Sequence, residues 1–290
     1  MIELLVAVVI LIIIMLAFGM IITTIQGTVS TGQEAMRSNA AAAAIIDTLR
    51  SELRQITQHG LLCITQTDTA DGYKPLLTFT TAGVIAGKTG NASANGGLVS
   101  IGICENQSGA GSFDVLFARN WLLASMSTVP DAMPWDLAHI QKSDRDTLNG
   151  YVVEQYCAIP PDDVRIPAGD LDDVNALWQV LADGCDWISI LWTDGDTDTE
   201  GLKWYGIDYN QDSEAYEAVS VGSTGDEWVN VSFDSASVTQ IEYDAGTGGD
   251  DLYRALWTHH NQNNWPRAIK IAFKLTDHDS PYELICPIGG

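Results

Sequence analysis

Along the first sixty residues the hydrophobic pattern changes character once. From Leu4 to Ile22 nineteen residues pass with no formal charge and no strongly polar group, and the uncharged stretch runs on to Gln33 before Glu34 and Arg37. At about 1.5 Å per residue the nineteen reach roughly 28 Å, close to the depth of a bilayer's hydrocarbon. No basic cluster precedes the run and no small-residue cleavage site follows it, so it reads as a retained helix rather than a removed signal peptide. Beyond it, STGQEAMRSNAAAAAIIDTLRSELRQITQHG is rich in alanine and other helix formers, with Ala42, Ile46, Leu49, Leu53 and Ile56 spaced four, three, four and three on one stripe. Arg50, Ser51, Arg54, Gln55 and Gln58 take the remaining faces, so this half is amphipathic and suited to lie on a folded domain. The pattern predicts one long helix from Met1 to about His59, with Gly60 as its stop and Gly19 and Gly27 as its weak points.

After Gly60 the period shortens. LLTFTTA (Leu76 to Ala82), GLVSIGI (Gly97 to Ile103) and FDVLFA (Phe113 to Ala118) are strand candidates between Gly-, Asn-, Asp- and Pro-rich breaks. In KIAFKL the alternation puts Ile271, Phe273 and Leu275 inward and Lys270 and Lys274 outward. DLDDVNALWQVLADG reads as a short helix and VIAGKTGNASANGG as an exposed loop. The fold class is therefore α+β: residues 1–26 a hydrophobic membrane or polymerisation helix, 27–60 its amphipathic continuation, and 61–290 a β-rich acidic head.

Composition narrows the partners. Against 14 Lys+Arg stand 38 Asp+Glu, a formal charge of -24, which repels a phosphate backbone and an anionic lipid surface alike. A nucleic-acid partner is excluded on that ground. The five cysteines never form CxxC or CxxCH, so neither a zinc knuckle nor a c-type haem is indicated. Outside the cytoplasm five cysteines give two disulfides and a spare thiol, with Cys63–Cys104 and Cys157–Cys185 as the expected pairs; in a reduced protein they are small buried hydrophobes.

Motifs for chemistry are weak. AGKTG lacks the first glycine of a phosphate-binding loop, since Ala82 stands five residues before Gly87. The histidines form no spaced ligand set, and no GxSxG occurs, so nothing points to an enzyme or a required cofactor. Asp194, Asp196, Asp198 and Glu200 alternate in a way that could surround a calcium ion, yet Thr199 and Tyr205 stand where an EF-hand needs Gly and Glu. The competing reading is a solvated hairpin turn between ISILW and LKWYGI. Tryptophans 121, 187, 192, 204 and 257 sit beside apolar residues and read as core. Asn91, Asn106 and Asn230 begin three-letter sequons that arise often by chance.

Glu3 remains. A carboxylate in hydrocarbon costs roughly 2.5 kcal/mol or more at a helix centre, and a helix N-terminus returns only about 0.3 to 1 kcal/mol. Either the acid sits at headgroup level, or a neighbour's positive charge neutralises it and its expense selects one register between identical helices. MIELLVAVVIL resembles the start of a mature type IV pilin or pseudopilin, whose Leu/Ile-Glu-Leu core Ile2, Glu3 and Leu4 match. Glu3 lies two residues earlier than the family's glutamate, so either two leading residues are absent or the mature end differs. IIDTLRSELRQITQHG and NNWPRAIKIAFKLTDHDSPYELICPI are similar to parts of the large PilW-like pilins and J-type pseudopilins. The resemblance implies a pilin-like fold, the long helix packed on the head, and a non-catalytic subunit held in the cytoplasmic membrane as a precursor. Assembly machinery would then extract it into an extracellular filament or a periplasmic pseudopilus. It further implies that Glu3 pairs with the methylated amine of the next copy. A minor tip pilin or minor type II secretion pseudopilin is the alternative within the family; a single-pass anchored binding protein or hydrolase is the alternative outside it.

Overall fold

A computed structural model describes residues 2–58, 60–69, 72–86, 93–106, 113–122, 176–199, 201–219, 240–244, 252–258, 265–276, 278 and 280–288. The chain divides into two compact units, Met1–Ile46 and Asp47–Gly290. Helix α1 runs unbroken over Ile2–Leu53. It therefore passes Gly19 and Gly27 without interruption but stops about six residues short of the expected end. The cause is competition from the sheet: Gln55 and Ile56 tighten onto Glu52 and Leu53, and Thr57 N–H then leaves the helix for the Thr80 carbonyl at 3.1 Å. Gly60 is not the stop. A side chain there would run into the Thr80 hydroxyl, which receives the Leu61 N–H at 2.9 Å, so the glycine permits a close backbone approach.

The remainder is strand. In chain order these are β1 (Leu61–Thr69), β2 (Gly72–Ala86), β3 (Ser93–Asn106), β4 (Phe113–Leu122), β5 (Ala176–Asp183), β6 (Cys185–Thr193), β7 (Thr197–Asp198), β8 (Gly201–Leu202), β9 (Tyr205–Asn210), β10 (Ala215–Val219), β11 (Gln240–Asp244), β12 (Leu252–Thr258), β13 (Ala268–Leu275) and β14 (Tyr282–Pro287). A seven-stranded antiparallel sheet has the order β11-β12-β1-β2-β3-β4-β5, and a five-stranded one the order β10-β9-β6-β13-β14. An N-terminal helix with two antiparallel sheets is an α+β arrangement.

All four strand expectations hold, and β13 alternates half-buried with buried as its pattern requires, Ile269 joining Ile271, Phe273 and Leu275 inside. Two expectations fail. Ala176–Asp183, expected in a helix, is β5 and pairs with β4 through Phe117↔Val180. A short apolar run reads either way until a distant strand supplies its hydrogen bonds. The expected loop is in part strand, since β2 continues to Ala86 and β3 begins at Ser93; its middle, like Asn91 and Asn230, lies outside the described residues.

Cross-strand partners share a face, which locates the core. Leu62 faces Trp257 and Phe79, and Ile64 faces Ala255 and Leu77, on the first sheet. On the second, Ile271 faces Ile190 and Leu284, and Ile269 faces Trp192 and Cys286. All are buried. The two faces meet at Trp192, which packs edge-on against Trp257 at 4.9 Å between centroids and donates its indole N–H to the Tyr253 hydroxyl at 2.9 Å. Trp187, Trp192 and Trp257 are thus core residues, as expected, and Trp204 is half-buried.

Two consequences are measurable. Gly206 has φ +131 and a side chain there would come 2.5 Å from the Ile190 carbonyl oxygen, which is backbone and cannot yield. Gly206→Ala should cost more than about 2 kcal/mol, read as a lowered denaturant midpoint; an unchanged midpoint would show that β9 can move off β6. Burial pushes the Tyr253 phenol far above its ordinary value, outweighing the Trp192 hydrogen bond that acts to lower it. The unfolded chain therefore loses this proton first, and stability should fall as pH rises past about 10. Tyr253→Phe, at a neutral-pH cost of about 1 kcal/mol, should flatten that alkaline decline in pH-dependent unfolding curves.

Candidate assembly and anchoring surface

The first unit presents apolar side chains outward on every side. From Ile2 to Val29 seventeen large hydrophobic residues are exposed, among them Val6 at 51%, Met15 at 67% and Met20 at 71%. Within Val8–Gln33 the most apolar 18-residue window has mean hydropathy 3.0, and the helix is long and apolar enough to cross a membrane. A helix hydrophobic all round belongs in lipid or among other apolar helices. Its few hydroxyls do not oppose this. Thr23 donates to the Met20 and Gly19 carbonyls at 2.9 and 3.1 Å, Thr24 to Met20 at 2.9 Å and Thr28 to Thr24 at 2.9 Å. Each returns its hydroxyl proton to the helix that carries it, so each can enter a water-free surrounding without an unmet donor. Sequence reading passed over these threonines, although threonine placed three or four residues after a carbonyl is the signal for such a bond.

Ile2, Glu3 and Leu4 occupy the first turn of α1, with Ile2 81% exposed. The side chains of Glu3 and Leu4 lie outside the described residues.

The acidic run folds as a turn. Asp194 accepts the Asp196 N–H at 2.9 Å, Thr193 accepts the Gly195 N–H at 3.0 Å, and the Lys203 N–H returns to the Asp196 carbonyl at 2.9 Å. Beyond it Thr197 pairs with Leu202 and Asp198 with Gly201. Gly195, with φ +93, lies under Arg267, whose side chain would collide with any Cβ there. The structure thus brings Asp194 and Asp196 into one turn beside a cation that sequence reading did not associate with them. The Asp198 side chain and Glu200 lie outside the described residues, among which no three Asp, Glu, His or Cys groups converge on a metal position.

The cysteine pairing needs correction. Cys63, Cys104, Cys185 and Cys286 are buried and none of them is in a disulfide, and Cys157 lies outside the described residues. Cys63 faces Thr78, and Thr78 faces Ser100, so Cys104 stands two strands away and four residues further along. That separation, roughly 9.5 Å across and 13 Å along, exceeds the roughly 7 Å between Cα atoms that a disulfide tolerates. Cys185 and Cys286 act as weak donors to the carbonyls of Trp187 and Pro287, at 3.4 and 3.7 Å. Burial raises the Cys286 thiol above its ordinary value although Arg54 and Arg50 act to lower it.

No family model, no curated protein and no solved structure matches this chain.

Since the turn is closed by protein groups, Asp194→Asn, which keeps the accepting oxygen, should leave Tm within about 1 °C, while Asp194→Ala should cost about 1 kcal/mol. Melting with calcium and with a chelator checks the alternative: a Tm raised by calcium only when Asp194 is intact would make the turn a cation site.

Proposed function

We propose that the chain is the repeating structural subunit of an extracellular type IV pilus-like filament, assembled through its hydrophobic N-terminal helix. The observation that carries the reading is the all-round exposure of apolar side chains from Val6 to Val29. In lipid the helix anchors a precursor; among the same helices of sister copies it forms a filament core, with the acidic head outside. Glu3 is the register device. Moved from water to hydrocarbon alone it is costly, so sister helices stop sliding where its charge meets a positive group, the terminal amine of the adjacent copy. The resemblance of Ile2-Glu3-Leu4 to the pilin core supports this assignment.

Magnitudes order the two effects. Burying the still exposed half of a large apolar side chain contributes on the order of 1 kcal/mol, so seventeen of them exceed any single ion pair by an order of magnitude. The helix decides that the chain leaves water; Glu3 decides only how copies align. A second reading, a minor tip pilin or minor pseudopilin of a type II secretion system, draws on the 230-residue head, large for a repeating subunit.

Glu3→Ala should leave the precursor folded and membrane-bound while filament incorporation falls roughly tenfold or more, read by electron microscopy and fractionation. Filaments of normal yield from that variant would overturn the role of Glu3. A wild-type protein that never polymerises and stays singly anchored would overturn the assembly reading itself.

A further inference from the structure

Charge is unevenly shared along the chain. Of the 38 acids only Glu3, Glu34, Asp47 and Glu52 precede residue 61, and of the 14 bases Arg37, Arg50 and Arg54 do, which leaves 34 acids against 11 bases in the head. Copies brought together by their helices therefore bring strongly anionic heads together, and head-to-head approach is repulsive. Basic side chains within reach of a neighbour's head change that balance.

The last turn of α1 and the turn that follows it supply two arginines. Asp47, Arg50, Ser51, Arg54 and Gln55 line an open polar groove of about 480 Å³. Arg50 and Arg54, one helical turn apart, put two guanidinium groups on the same side. Arg50 pairs with Asp47 at 3.0 Å, whereas no carboxylate of the described residues lies within ion-pair distance of Arg54. Both arginines lie close enough to the Cys286 thiol to act on it, and burial keeps that thiol neutral. Two described head lysines are paired, Lys270 with Glu283 and Lys274 with Asp186, both at 2.9 Å.

We infer that the Arg50/Arg54 groove is an intersubunit docking site that receives an acidic segment from the head of a second copy of this chain. The inference rests on the assembly reading above and adds a second contact to it, helix to head rather than helix to helix. The occupant follows from charge complementarity: at filament density the most concentrated carboxylate source facing the groove is the neighbour's head. Guanidinium groups suit carboxylates because their planar forks accept two-point pairing.

Full-length wild type, Arg50→Glu/Arg54→Glu and Arg50→Lys/Arg54→Lys should be assembled side by side and imaged. The glutamate pair should raise the concentration needed for assembly about tenfold or more while the detergent-solubilised subunit keeps its Tm, since the exposed Asp47–Arg50 pair contributes little to folding; the lysine pair should keep most assembly. In filaments mixed from isotopically light and heavy copies of Arg54→Lys, zero-length carbodiimide coupling should join position 54 to head carboxylates of the other isotope. Intact filaments whose couplings from position 54 fall only within one chain, or whose assembly ignores charge reversal, would overturn the groove contact alone. Wild type that forms no filaments would overturn the assembly reading and this contact with it.

Discussion

The governing constraint is a mismatch of solvents within one chain. Helix α1 carries seventeen exposed large apolar residues over its first thirty positions, and the rest of the chain folds around its own core. Water is excluded as the helix's final surroundings by tens of methylene groups, each worth about 0.8 kcal/mol. The three threonines of the run, back-bonded to their own helix, add no polar demand against that outcome. What the constraint leaves open is which apolar medium the helix occupies. Lipid and sister helices are nearly equivalent in transfer energy, so the difference between anchor and filament rests on directional groups such as Glu3.

The second unit is built to be independent of that choice. Its two sheets meet through aromatic contacts, Trp192 on Trp257 with Tyr253 as hydrogen-bond partner, and Trp192 also stacks on Tyr205 at 4.6 Å. The buried indole donates to the buried phenol oxygen, which adds one directional polar bond to the contact between the sheets. Among the described residues no disulfide braces the sheets, which meet through this packing. On the proposed reading, such a core would let the head stay folded whether the helix sits in lipid or among other helices.

Sequence made legible what is local or periodic. The span from Leu4 to Ile22, the strands around Thr78, Ser100 and Phe117, and the inward set of β13 all follow from spacing. What escaped it was decided by distant groups. Thr80 ended α1 by offering its carbonyl to Thr57, β4 drew Ala176–Asp183 into a sheet, and register separated Cys63 from Cys104. The site divides the same way. The apolar surface and Asp194 are visible in the letters, whereas the position of Arg267 over Gly195 and the groove at Arg50 and Arg54 required the fold.

Charge then sets the terms on which the apolar helix can act. Hydrophobic association has no direction and no stopping point, so identical rods driven together by it alone would collect in any register and number. An acidic head on each rod opposes indiscriminate collapse, because heads crowd fastest in the compact arrangements that bury most helix. Only arrangements that place cations against neighbouring carboxylates escape the repulsion while keeping the apolar contact. With 14 basic residues against 38 acidic ones, few arrangements qualify, and the scarcity of arginine and lysine becomes a source of order. In the proposed filament, repulsion between heads and attraction between helices are therefore complementary: the second would provide the free energy of association, and the first would select among the geometries in which it can be released.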